Sequence, residues 1–504
     1  MALKLPTVDD LQRIAAALHF ELTPAEAADY QLIIPQMFAD LEAVDSKTEA
    51  HSCARFSARD PGRRPTRAED PFNAIVRFCS VKPASSGKLS GKRVAVKDNT
   101  CIAGIPMTCG SRVLDGFVPD LDATVTTRLL EAGAEIVAIT NMDNWAFAAS
   151  GETSDYGATL NPHNVEHLAG GSSSGSAAAL YYKDIDLAIG GDQGGSIRIP
   201  ASWSGVVGLK PTHSLVPYTG IVGIDPTFDH AGPMARTVAD VALLLEVIAG
   251  NDPLDPRQRE VPVAPYREAL GKDLKNLRVG ILSEGFGQIG AEPDVDLAVK
   301  RSIKVLGELG ASIEHVSVPA HRQAGGLLWA LVTGGMTATV ETNGLGYHSK
   351  GLYNLGLAAA LEEFRQTRAD HFPPQLKLTL LVGNYLRQNY SGRIYAKAQN
   401  QRRELTAAYD KALAQLDMLA MPTTPMKAVR HDPNRDRVGS LNVGWSNMGN
   451  TAPFDVTGHP AISVPCAKSN GLPIGLMLVG RHFDDATLLR AADAFERAVV
   501  WDKA

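Results

Sequence analysis

The stretch Gly170–Pro200, GGSSSGSAAALYYKDIDLAIGGDQGGSIRIP, constrains this chain more than any other part of it. It holds two Gly/Ser-rich turns. The first, Gly170–Ser176, opens a small-residue segment, Ala177–Leu180, that reads as a helix. The second, Gly190–Ser196, follows the apolar run Ile185–Ile189, which reads as a strand. Glycines beside serines let backbone N–H groups crowd around one small volume, because no side chain blocks the approach. A serine placed there can attack a carbonyl while the neighbouring N–H groups hold the oxyanion.

The rest of the chain sets the bounds. Its 504 residues are 44% hydrophobic and 21% charged, an ordinary globular balance with ample material for a large core. A formal net charge of -6, without a Lys/Arg stripe, argues against nucleic acid and anionic membranes as partners. Cys53, Cys79, Cys101, Cys109 and Cys466 form no CxxC pair and are odd in number, so reduced thiols and a cytoplasmic location are expected. The N-terminus has acids where a secretory leader wants a cationic start, and no apolar run is long enough for a bilayer.

Residues 8–46 read as helical. Asp9 and Asp10 charge the start of one helix. Thr23-Pro24-Ala25-Glu26 gives a second its cap, its first-turn proline and its capping box. Residues 52–72, polar and rich in Pro and Arg, read as a linker, so 1–70 is taken as a helical appendage able to dock on the main body or a second subunit, and 71–504 as that main body. From there strand-like and helix-like segments alternate: Arg93–Val96, Ala123–Ala132 and Glu135–Ile139, then the β-α-β run Leu277–Leu282, Val295–Leu309 and Ser312–Val318. Strand-like Ala461–Val464 and Gly475–Val479 and a helix from Asp485 close the chain. The pattern is α/β, with a large sheet buried between helices.

Rival readings of the Gly-rich turns fail on detail. Neither ends in the Gly-Lys-Ser/Thr of a phosphate-binding loop. Gly171–Gly175 spells G-x-S-x-G around Ser173, but a loop precedes it where a nucleophile elbow needs a strand. His163 and His167 lie on a proline-containing loop and no HExxH occurs, so no metal site is expected. What remains joins both turns to Lys97, at the end of the apolar strand that begins at Arg93. A lysine buried there can lose its proton and act as a base.

These residues carry a resemblance. GGSSSGSAAA, GGDQGGSIRIP, Gly205–Thr212 and the upstream VAVKDN, with Ser196 falling 24 residues after Ser172, resemble the amidase signature family over most of the chain from about residue 71. GGDQGGSIRIP together with Asn450–Pro460 is similar to bacterial, nitrile-metabolism-associated amidases, some of them enantioselective. The resemblance implies a large mixed twisted sheet covered by helices on both faces. It also implies a cofactor-independent hydrolase of aliphatic or aryl carboxamides, working as a homodimer.

It further implies a role for each residue. Ser196 is the nucleophile, Ser172 a bridging serine after a cis peptide bond, and Lys97 the base. The backbone N–H groups of Gln193, Gly194, Gly195 and Ser196 face the oxyanion. Asp192 and Arg198 are expected to pair behind the loop, and Phe147, Phe228, Trp329, Trp445 and Met448 to line the acyl pocket. The same residues leave open a related scissile bond (hydrazide, anilide, carbamate or ester), the glutaminase component of an amidotransferase, or a binding protein on an inactive fold.

Overall fold

The computed structural model describes residues 3–47, 58–83 and 85–503. Two compact units emerge, Met1–Ser52 and Cys53–Ala504. In the first, helices Val8–Ala17 and Pro24–Asp45 both start at a capping box, Thr7 with Asp10 and Thr23 with Glu26. The second box is the one the sequence spells. The first is capped one turn earlier than the acids suggest, because a threonine hydroxyl accepts from the Asp10 N–H while the Asp10 carboxylate accepts from the Thr7 N–H.

The second unit is built on strands β1 (Arg59–Arg63), β2 (Ile75–Val81), β3 (Arg93–Lys97) and β4 (Glu135–Thr140), followed by a small hairpin of β5 (Leu160–Asn161) and β6 (Asn164–Leu168). Then come β7 (Leu187–Asp192), β8 (Val207–Lys210), β9 (His230–Ala235), β10 (Arg278–Leu282) and β11 (Ser312–Val316). The last are β12 (Met418–Pro422), β13 (Ala461–Ser469) and β14 (Leu472–Gly480). Twelve of these form one mixed sheet in the order β1-β2-β4-β3-β7-β9-β8-β13-β14-β12-β10-β11. The expected β-α-β run is present, with parallel β10 and β11 joined through the helix Pro293–Glu308. The stretch expected to be a linker is not one throughout: its residues 59–63 form an edge strand on β2. Polar composition and Pro61 suit an edge, where one side of the strand needs no ladder partner.

Side-chain alternation along the central strands positions the site. On β3, Val94 and Val96 join the large core that includes Ile136, Leu187 and Ile189. Ala95 points the other way, into a smaller core with Ala138, Ala188 and Ala177–Ala179 of the helix Ser174–Ala179. Strand residues alternate faces, so Lys97 falls on the alanine side, the side that carries this helix. Small residues on both surfaces let helix and sheet approach closely. A Cβ at Gly175 would lie 2.5 Å from the Asn141 backbone N and O.

Candidate active site

The two Gly/Ser turns meet and are stitched together by Ser173. Its N–H donates to Ser196 O at 3.1 Å. Its Oγ donates to Gly191 O at 3.0 Å and accepts from Gly191 N at 3.1 Å. The serine that spells G-x-S-x-G is therefore occupied in holding one turn to the other. Ser172, just before it, follows a cis Gly171–Ser172 peptide bond. Lys97 Nζ lies 2.8 Å from Ser172 Oγ and 3.3 Å from Gly191 O. Lys97 and Ser172 are fully buried and Ser196 nearly so.

Burial dominates the charge state of Lys97. It brings the ammonium down to about 7, against the pull of Asp143 and Asp192, which favour the protonated form. Near neutral pH a large share of Lys97 is therefore an amine with a free lone pair. Asp143 is a site residue that sequence reasoning missed. Its carboxylate accepts from the Gly151 and Thr153 N–H groups and the Thr153 hydroxyl, and its own N–H donates to Ser172 O. It sits against Gly171, where any Cβ would run into Asp143 Oδ2.

Asp192 and Arg198 form the expected pair, completely buried, with Nε–Oδ2 at 2.9 Å. Sequence reasoning missed the third member, Asp455, whose Oδ2 lies 2.7 Å from the same guanidinium. Burial opposes ionisation of both carboxyls, but Arg198 pulls Asp192 down. Asp455 is pushed up, by burial first and then by the Asp192 charge. Asp192 also organises the loop backbone, accepting from Gly195 N at 2.6 Å and Ile197 N at 3.1 Å. Gly195 therefore departs from the expected oxyanion set, because its N–H is already spent. The N–H groups of Gln193, Gly194 and Ser196 carry no hydrogen bond to described residues. Gly195 still has to be glycine: its φ is +136°, and a Cβ would meet Thr451 and Ile199.

A narrow apolar crevice opens at Ser196, lined by Phe147, Gln193, Gly194, Leu328, Trp329, Val332, Trp445 and Met448, with Ile224 beside them. Trp329 and Trp445 meet edge to face, with centroids 4.4 Å apart, and also line a cavity of about 510 Å³ outside the crevice. Of the residues the sequence reading assigned to the acyl pocket, Phe147, Trp329, Trp445 and Met448 line this crevice. Phe228 does not. It is fully buried in the core, and its carbonyl accepts from His230 Nδ1 at 2.8 Å. Gln193 Nε2 donates to the Tyr218 hydroxyl at 2.8 Å, while Gln193 Oε1 is buried without a partner among the described residues.

Comparison with known proteins gives this geometry its context. A family model described as amidase matches residues 80–489. The chain belongs to the amidase signature family. It is 42% identical over 443 residues to an enantioselective amidase of Rhodococcus rhodochrous, covering 86% of this chain and 85% of the relative. It is 38% identical over 492 residues to a glutamyl-tRNA(Gln) amidotransferase subunit from a Picosynechococcus species, covering 96% of this chain and 97% of that one. The crystal structure of native peptide amidase from Stenotrophomonas maltophilia superposes with a TM-score of 0.69 at 32% identity, covering 82% of this chain and 84% of its own. Family, relatives and fold together make the protein an enzyme acting on amide carbon–nitrogen bonds.

Proposed function

We propose that this amidase hydrolyses small primary carboxamides, aliphatic or aryl, to the carboxylic acid and ammonia through a Ser196–Ser172–Lys97 relay. The observation that carries the reading is the buried 2.8 Å contact between Lys97 Nζ and Ser172 Oγ, stitched by Ser173 to the loop that bears Ser196. Neutral Lys97 takes the Ser172 proton as Ser172 takes that of Ser196, and Ser196 Oγ bonds to the carbonyl carbon. The oxyanion is stabilised by N–H groups of Gln193, Gly194 and Ser196. The proton returns through Ser172 to the nitrogen, which leaves as ammonia, and water repeats the sequence on the acyl-enzyme. The relay balances with protein groups, substrate and water alone.

The family and its amidase relatives favour an amide as the scissile bond. The crevice around Ser196 is lined by apolar and aromatic side chains and Gln193, suiting compact apolar acyl groups over the charged end of glutamine. The similarity of GGDQGGSIRIP and Asn450–Pro460 to nitrile-metabolism-associated amidases supports a role after nitrile hydration. Exposed Leu32, Ile33, Met37 and Leu41 on the helix Pro24–Asp45 support a homodimer, and the sparse, unpaired cysteines a cytoplasmic location. A screen of aliphatic, aryl and α-substituted amides for ammonia release tests the reading. Turnover by the purified chain alone is expected, and Ser196→Ala should lose on the order of 10⁴-fold or more. Activity appearing only with the other components of an amidotransferase added would replace it with the glutaminase reading.

A further inference from the structure

Three side chains from distant segments converge well away from Ser196 in sequence. Asp410 lies on the helix Arg393–Leu413, His459 just after the helix Ala452–Thr457, and His482 just after β14. The sequence reading expected no metal site, on the absence of an HExxH-like pair; these three residues lie far apart in the chain and spell no such motif.

The hydrogen-bond partners fix where the imidazole protons lie. Thr457 O can only accept, so His482 Nε2, at 3.0 Å from it, carries the proton and His482 Nδ1 keeps its lone pair. The Thr457 hydroxyl spends its one hydrogen on Pro453 O at 3.0 Å. It therefore accepts from His459 Nδ1–H at 2.9 Å, which leaves the lone pair on His459 Nε2. Two ring nitrogens and a carboxylate then face one small volume, with His459 Nε2 and Asp410 Oδ1 within hydrogen-bond distance of each other. Asp410 Oδ1 is 3.2 Å from His459 Nε2 and 3.6 Å from His482 Nδ1. The three ligand atoms lie within 4.8 Å of one another. Tetrahedral ligands at ordinary zinc distances stand about 3.4 Å apart. Both outer ring nitrogens are anchored on one residue, Thr457, as outer-sphere partners anchor metal-binding histidines.

We propose that Asp410, His459 and His482 bind one divalent transition-metal ion of the zinc class. Imidazole donors select such ions over magnesium and calcium. Asp410, 56% exposed, leaves a side open for a water as fourth ligand. The ion would pin the C-terminal end of the helix that also carries Asp455, bracing the partner of Arg198 without touching the serine relay.

The test uses the full-length chain, stripped with EDTA and titrated with Co²⁺. One Co²⁺ per chain, visible absorption of a low-coordinate complex, displacement by Zn²⁺, and a rise in Tm with Zn²⁺ but not Mg²⁺ are expected. Asp410→Asn, at an exposed position, and His482→Ala, at a half-buried one, should each weaken binding by more than the about 10–100-fold that loss of an outer-sphere partner costs. Failure of the wild-type chain to take up Co²⁺ or Zn²⁺, or uptake unchanged in both variants, overturns the proposal.

Discussion

Two buried aspartates stand near Lys97, and the protein treats them in opposite ways. Asp192 is neutralised by charge, through a guanidinium it shares with Asp455. Asp143 is held only by dipoles, the N–H groups of Gly151 and Thr153 and one hydroxyl. A guanidinium fixes geometry and removes net charge. Dipoles fix geometry and leave the charge standing, so Asp143 comes first among the charges that oppose loss of the Lys97 proton. The loop that bears Ser196 is thus braced for rigidity, and the turn that bears Ser172 holds the charge that influences where Lys97 titrates.

The largest test of this contrast is Arg198→Met, which leaves two buried carboxyls without their counter-ion. A loss of about 3–5 kcal/mol is expected, read as a fall in Tm and in the urea midpoint. A variant as stable as the wild type would remove the charge brace from the account. Gly195→Ala comes next. The added methyl meets Thr451 and Ile199 at a φ that disfavours side chains, so kcat should drop roughly 100-fold or more, as when an oxyanion donor is lost, while the fold persists.

Asp143→Asn tests the other arm. In the wild type kcat/KM should rise with pH through about 7, as Lys97 loses its proton. Removing the negative charge that favours protonated Lys97 lowers its pKa, so the whole profile should move to lower pH. A shift to higher pH, or none, would show that Asp143 does not set the base. The smallest effect belongs to Thr153→Val, which deletes one donor to Asp143 Oδ1 at 2.8 Å and should cost about 1 kcal/mol of stability.

What the sequence revealed was local or carried by resemblance, and what it hid was not. The capping box at Thr23, the β-α-β run and the burial of Lys97 at a strand end each follow from a few adjacent residues. Asp455 joins Arg198 across 257 positions of chain, and no local pattern reports such a contact. Asp143 had a weaker signal, an acid soon after the end of the apolar strand Glu135–Thr140. Phe228 shows the limit from the other side: a phenylalanine in a core and one at a crevice are spelled alike. The edge strand Arg59–Arg63 reads as linker because edges are made polar to discourage further pairing.

The layer of alanines between the central strands and the helix Ser174–Ala179 acts as a spacer one methyl group thick. Ala95 and Ala188 on the sheet and Ala177–Ala179 on the helix set the separation across which Lys97 reaches Ser172. A proton moves between heteroatoms only over a hydrogen-bond length, so a single added methylene here acts on the reaction itself. In the proposed relay the inert packing beneath the serines is thus the gauge, and residues with no chemistry of their own set the distance the proton must cross.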